Sequence, residues 1–210
     1  MHCQIHFAAL YVYITSTTAT SKRIPIAHAK QLHPCVKRLI KTIAAPATIK
    51  EIGSAAFYGC TSLKEIVIPK NVEKLGEHAF YGCTMASMVQ IEEGTALKSI
   101  PARCFARCTN LSTVSLTQGI EKIGIYAFYG CSKLMIASLA PSISEIAENS
   151  FDECPSFMIG GWEGTYVQQY AKDNNLTFIS YGTYVEPTTT AVATTADVTT
   201  TFTTDTPTES

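Results

Sequence analysis

Apolar and polar residues alternate in Leu63-Lys-Glu-Ile66-Val-Ile68-Pro69, with Ile66 and Ile68 on one side and Glu65 and Val67 on the other. A period of two predicts a half-buried strand. The alternation returns in Val89-Gln90-Ile91 and Val114-Ser115-Leu116, and more faintly in Ala137-Ser138-Leu139. A second apolar pair recurs as Ile49/Ile52, Val72/Leu75, Leu97/Ile100, Ile120/Ile123 and Ile143/Ile146. Each pair leads into a phrase built on Phe-x-x-Cys: Ala-Phe-Tyr-Gly-Cys at 56–60, 79–83 and 127–131, Cys-Phe-Ala-Arg-Cys at 104–108, and Ser-Phe-Asp-Glu-Cys at 150–154. The five phenylalanines are 23, 25, 23 and 23 residues apart, and a two-residue insertion near 92–94 accounts for the longer interval. A period this regular predicts a repeat solenoid whose units bury their apolar faces against one another. What repeats is apolar or small, so the repeat is the core.

The ends depart from the template. Ile40, Ile43, Pro46, Ile49 and Ile52 fit the frame one period earlier without a preceding Phe-x-x-Cys in register, which predicts a half repeat and an imperfect cap beginning near Leu39. Residues 1–38 read as a leader or degenerate N-terminal region; the apolar stretch 7–14 lacks a preceding Lys or Arg and is a weak match to an export signal. Residues 159–184 read as a C-terminal cap, with Tyr166, Val167, Tyr170 and Ala171 at helical spacing and a closing strand around Leu176, Phe178 and Ile179. From 185 onward the chain is a Thr-rich linker or tail: twelve of the residues 186–210 are Thr, too few of the rest being apolar to offset the cost of ordering them.

Charge excludes one class of partner. Lys and Arg total 16 against 17 Asp and Glu, with no basic stripe, so nucleic acid is not expected. No apolar run approaches the ~20 residues of a membrane span. Of the eight cysteines, Cys60, Cys83, Cys108, Cys131 and Cys154 share one template position, and Cys104 takes a place held elsewhere mostly by Ala. A recurring small residue is what a core column needs, and they read as buried thiols. Zinc sites want close pairs such as C-x2-C, and none occurs; Cys104 and Cys108 at i,i+4 cannot close a site alone. Cys35 beside His33 has no evident partner, and Cys3 reads as incidental. The histidines, His2, His6, His28, His33 and His78, form no HxH or HExxH group, and His78 reads as a surface residue. No nucleophile elbow, phosphate loop or dinucleotide fingerprint is present. Neither catalysis nor a cofactor nor a metal is expected. The phenylalanine column reads as core rather than as a binding platform, and Tyr58, Tyr81 and Tyr129 as half-exposed turn residues.

The template Leu-x-x-Ile-x-Ile-Pro followed by Val-x-x-Leu-Gly-x-x-Ala-Phe-x-x-Cys resembles the BspA-like leucine-rich repeats of bacterial and protist surface proteins. The segment from Gly161 to Phe178 is similar to the one that closes arrays of that family, and the resemblance covers roughly residues 40–180. It implies a curved α/β leucine-rich-repeat solenoid with a parallel β-sheet on one face and short helices or turns on the other. About 4–5 repeats of ~23 residues would occupy 39–158. It further implies an extracellular or cell-surface role in adhesion or ligand binding, the partner being a host-matrix or cell-surface protein or a glycan. Glu92 and Thr117 depart from the pattern where Pro should follow the strand, and the last strand is reduced to Gly160-Gly161-Trp162.

Function is then expected where the template leaves the sheet face free. Those positions are Lys64, Glu65, Val67, Ser87, Met88, Gln90, Ser112, Thr113, Ser115, Met135, Ile136 and Ser138, preceded by Lys41 and Thr42. Five strands ~4.8 Å apart make a sheet about 24 Å wide, and with ~15 Å of exposed strand its face offers roughly 350 Å². A standard interface takes about 800 Å² from each partner, so weak or multivalent binding is expected. The alternative is a structural spacer or accessory module of a larger secreted enzyme or complex, or a truncated non-functional fragment. Sequons at Asn110 and Asn175 would matter only in a eukaryotic secretory route.

Overall fold

The computed structural model describes residues 4–8, 11–15, 22–25, 49–155 and 157–186. In the N-terminal region, β1 (Gln4–Ala8), β2 (Tyr11–Thr15) and β3 (Lys22–Pro25) pair antiparallel in that order. Their aromatic and β-branched content suits strands. Lys41, Thr42, Cys3, Cys35, His2, His28, His33, the expected half repeat around Ile40, Ile43 and Pro46, and the Thr-rich stretch from 187 lie outside the described residues.

Each turn of the array supplies one short and one longer strand. In chain order these are β4 (Glu51–Ile52), β5 (Glu65–Ile68), β6 (Lys74–Leu75), β7 (Met88–Ile91), β8 (Ser99–Ile100), β9 (Thr113–Leu116), β10 (Lys122–Ile123), β11 (Ile136–Leu139), β12 (Glu145–Ile146) and β13 (Met158–Glu163). After β13 come the helix α1 (Tyr166–Asp173) and β14 (Thr177–Thr183). The longer strands form one six-stranded parallel sheet in the order β5-β7-β9-β11-β13-β14. Register aligns Ile66, Val89, Val114, Ala137 and Ile159 in one buried column, and Val67, Gln90, Ser115, Ser138 and Gly160 in one outward column. The period-two pattern therefore sorts core from face in every repeat.

The reading of the last strand needs correction. β13 is fully formed over six residues, although Gly160-Gly161 looked like a degraded end. A parallel ladder needs backbone groups rather than side chains, and both glycines give room to the cap. A Cβ on Gly161 would sit 3.0 Å from Val167 and 3.2 Å from Phe178. The helix expected over the cap is present, burying Val167 and Ala171 against the array.

The short strands make a second ladder, which is interrupted. The amides of Gly76, Gly124 and Ala147 donate to Ile52, Ile100 and Ile123 of the preceding turn at 2.7, 2.8 and 2.9 Å. Pro101 holds the equivalent place and has no N–H. At this place the ladder splits into β4-β6 and β8-β10-β12, and among the described residues the amides of Lys98 and Ser99 likewise lack the bonds to the Glu73 carbonyl that their equivalents make in the other turns.

The back of each repeat is a five-residue turn. At 23 residues per repeat, little chain is left for a helix once two strands and their turns are made. In four of the five turns the first residue, Ala55, His78, Arg103 or Tyr126, has φ between 53° and 57°, and in the fifth Glu153 has φ 58°; these left-handed residues interrupt any helix. Alternate amides close i−3 turns, such as Ala56 to Gly53, while the others donate to the next repeat, as Phe57 does to Ala79 and Phe80 to Cys104. Above this ladder the phenylalanines stack in a column, with Phe57, Phe80, Phe105, Phe128 and Phe151 spaced 5.2–5.3 Å between ring centroids. All five are buried. Truncating such a ring costs about 3–5 kcal/mol.

Candidate functional site

The twelve sheet-face residues fall into three columns. Lys64, Ser87, Ser112 and Met135 precede the first paired residues, Glu65, Met88, Thr113 and Ile136 are in register with one another, and Val67, Gln90, Ser115 and Ser138 are in register two residues on. Lys64, Glu65, Ser87, Gln90 and Met135 are exposed and the remainder half-buried. Ser87 Oγ donates to the carbonyl of Lys64 and Ser112 Oγ to that of Ser87, so these hydroxyls brace neighbouring turns. The face becomes more apolar toward the C-terminal cap, where Met135 and Met158 are exposed.

Two of the twelve, Ser115 and Ser138, reach a pocket that sequence reasoning missed. It lies beyond the C-terminal ends of β9 and β11, has a volume of about 610 Å³, and is walled by Trp162, Tyr181 and Tyr184. Gly160 makes this possible. Outward positions alternate along a strand, so Gly160 occupies the column of Ser115 and Ser138 but offers no side chain. Tyr181, from β14, lies across the vacant place; a Cβ on Gly160 would be 2.0 Å from its hydroxyl. That hydroxyl is 2.7 Å from Ser138 Oγ. Trp162 meets Tyr181 edge-on at 6.4 Å between centroids and Tyr184 at 6.3 Å. Glu163 fastens β14 beside them, accepting from Ser180 Oγ at 2.7 Å. On the opposite rim are Thr117, Gln118 and Glu93, the last carried by the inserted turn, whose Gly94 has φ 74°. The sequence held a signal for this wall: a glycine where every other repeat has a face side chain, followed by three large aromatics.

The cysteines are core. Cys60, Cys83, Cys104, Cys108 and Cys131 are fully buried, and Cys154 partly so. The thiols of Cys83, Cys108, Cys131 and Cys154 donate to the carbonyls of Phe57, Phe80, Phe105 and Phe128 at 3.3–3.4 Å. Burial pushes the Cys83 and Cys104 thiols well above their ordinary range. The neighbouring free thiols of Cys131 and Cys154 shift one another in opposite directions, the first upward, with burial adding to the rise, and the second downward. Among the described residues no group of three or more His, Cys, Asp or Glu is placed to hold a metal ion. His78 is half-buried, with its ring 5.8 Å from that of Tyr81.

Comparison with known families accounts for this geometry. The BspA type leucine rich repeat region matches residues 35–158 in six copies. The chain belongs to the BspA-type leucine-rich-repeat family. The match starts four residues ahead of the expected array and holds six copies, slightly more than the 4–5 repeats anticipated. A leucine rich cell surface protein from Faecalibacterium prausnitzii A2-165 is similar in structure, with a TM-score of 0.59 and 23% identity, covering 78% of this chain and 41% of that one. The T. pallidum leucine rich repeat protein has a TM-score of 0.52 and 30% identity, covering 58% and 60%. A leucine-rich repeat protein from Bacteroides ovatus ATCC 8483 has a TM-score of 0.52 and 26% identity, covering 73% and 40%. The BspA-type chain described here thus spans between 40% and 60% of the length of these structures. No curated protein matches it at a significant level. Among its described residues no helix is long and apolar enough to cross a membrane.

Proposed function

We propose that this chain is a non-catalytic binding module displayed at a cell surface or secreted, which takes an extracellular protein or glycan on its sheet face through weak or multivalent contacts. The observation that carries this reading is the separation of constant from variable positions. The buried columns repeat Phe, Ile, Leu, Val and Cys from unit to unit, whereas the outward column of Val67, Gln90, Ser115 and Ser138 changes at almost every step while staying accessible. A face under no packing constraint is where a repeat array can vary its recognition. Similarity to a bacterial cell-surface protein of the same fold supports the location.

Area favours weak engagement. The sixth strand widens the sheet only to about 29 Å, and with ~15 Å of exposed strand its face stays near ~430 Å², well short of the roughly 800 Å² each partner of a tight protein complex buries. The test is binding of the purified chain to matrix proteins and to whole cells, in monomeric and clustered form. Clustering should raise apparent affinity by about 10²-fold or more. Replacing Gln90, Ser112 and Thr113 with arginine should weaken that binding. Equal binding by the variant would remove the open face from the proposal, and no binding by the parent would remove the function.

A further inference from the structure

We propose that the pocket walled by Trp162, Tyr181 and Tyr184 binds a neutral pyranose, the terminal sugar of a surface glycan. This rests on the reading of the chain as a surface binding module and gives it a defined subsite.

The volume of about 610 Å³ falls within the ~300–1,000 Å³ of small-ligand sites. The lining is two-sided. Trp162 and Tyr184 supply aromatic surface, inclined 65° to one another, and Tyr181 stands at 81° to Trp162. Across from them Ser115, Gln118 and Glu93 supply a hydroxyl, an amide and a carboxylate that make no side-chain hydrogen bond among the described residues. A pyranose has this same division, with a C–H face that packs on aromatic rings and hydroxyls around its edge that both donate and accept.

Charge narrows the choice. Among the described residues that line the pocket Glu93 carries the one formal charge, and neither Lys nor Arg is present. A phosphate, sulfate or uronate would enter without a cation and beside a carboxylate. A quaternary ammonium would suit the rings and the Glu93 carboxylate, yet its methyl groups leave most of the polar wall of Ser115 and Gln118 without partners. A neutral polyol satisfies both walls. The walls are also set before the ligand arrives, since Tyr181 is held by Ser138 and by its seat on Gly160, which reduces the ordering cost of binding.

Trp162 is the sole tryptophan of the chain, so its emission reports on the pocket directly. The full chain would be titrated with methyl glucoside, methyl galactoside, methyl mannoside and N-acetylglucosamine, and in parallel with glucuronate and choline. Saturation-transfer NMR would supply a second readout. Saturable binding of at least one neutral sugar in the millimolar range is expected, with glucuronate and choline weaker. Gln118→Ala should weaken it by about 3–10-fold, the value of one hydrogen bond. Gly160→Val should reduce it at least tenfold by unseating Tyr181, with a cooperative thermal melt confirming that the variant is folded. If choline or glucuronate saturates the site more tightly, or if sugar binding survives in the folded Gly160→Val and Gln118→Ala variants, the proposal is overturned. If no sugar binds while the parent chain still binds cells, the pocket assignment fails and the surface-module reading stands; if neither occurs, both fail.

Discussion

The hydroxyl of Tyr181 lies 2.7 Å from Ser138 Oγ, joining β14 to β11 over the top of β13. The bond spans 43 residues of sequence and two strands of the sheet. It exists because the intervening position is Gly160, whose missing side chain leaves the ring a place to lie. One hydrogen bond thereby ties the cap to the repeat array and forms the wall of the pocket, so cap stability and pocket shape are one property.

Gly160→Ala isolates that property. The new Cβ would come within 2.0 Å of the Tyr181 hydroxyl and 2.6 Å of its Cζ, so the side chain must swing away. Loss of the bond costs about 0.5–1.5 kcal/mol, partly offset by the ~0.5–1 kcal/mol that Ala gains over Gly in a strand. The midpoint of urea unfolding should therefore move little, while Trp162 emission shifts to longer wavelength as its neighbour departs. An unchanged spectrum would mean that Tyr181 does not depend on this seat.

At Gly76 a methyl group meets backbone. Its Cβ would lie 2.2 Å from Ser54 N and 2.5 Å from Ser54 Cα, whereas at the equivalent Gly124 the nearest atoms are 3.0 Å away. Neither turn can retreat at Gly76 without losing the bond from its amide to Ile52. Gly76→Ala should cost about 3 kcal/mol or more, at the upper end of overpacking penalties, and Gly124→Ala about 1 kcal/mol. Denaturant unfolding of the two variants gives the comparison, and equal losses would contradict the close approach.

The array was legible in the sequence because solenoid cores repeat and faces do not. Ile66 and Ile68, Val72 and Leu75, and Phe57 through Phe151 each announced their burial by recurring at a fixed interval. The insertion near Gly94 was legible for the same reason, as a break in the period. The pocket was not, because its parts come from segments outside the template. Trp162, Tyr181 and Tyr184 have no counterparts in other repeats, and Gly160 read as decay. Its value appears only once Tyr181 is placed above it by a strand pairing that the sequence does not print. The candidate face was located as a set of columns, but its convergence on Ser115 and Ser138 depended on that cap.

Alkaline pH should destabilise the array through its thiols. In the unfolded chain a cysteine titrates near about 8.5. Burial holds the Cys83 and Cys104 thiols protonated well above their ordinary range. The folded state then binds protons that the unfolded state has released, so stability is fully present below about pH 8.5 and falls as pH rises toward the folded values. The limiting slope is about 1.4 kcal/mol per pH unit for each thiol. Tyr170, pushed up to about 12 by burial, acts in the same direction at higher pH. Cys104 sits where Ala79 and Ala127 sit in neighbouring turns, so Cys104→Ala should fold normally and show a shallower decline. Urea unfolding at about pH 8, 9 and 10 tests this, and parallel slopes in parent and variant would exclude Cys104 as a contributor.

The seam at Pro101 should be where the array opens first. Strands β5 and β7 pair continuously across it, but the short-strand ladder is broken between β6 and β8. In a solenoid each unit is held mainly by its neighbours, so a missing ladder weakens one interface without weakening the next. Hydrogen exchange should therefore show Gly76 and Lys74 less protected than their equivalents Gly124 and Lys122, which lie in the unbroken ladder β8-β10-β12. Pro101→Ala restores an N–H that can reach the Leu75 carbonyl. Its gain of about 0.5–1.5 kcal/mol is offset by the ~0.4–1 kcal/mol lost as the unfolded chain becomes freer. The melting temperature is thus a poor readout, and exchange is the informative one. Protection of the amide at position 101, together with slower exchange at Gly76, would show the ladder closing. Unaltered exchange would mean that the inserted turn at 92–94, rather than the proline, keeps β6 and β8 apart.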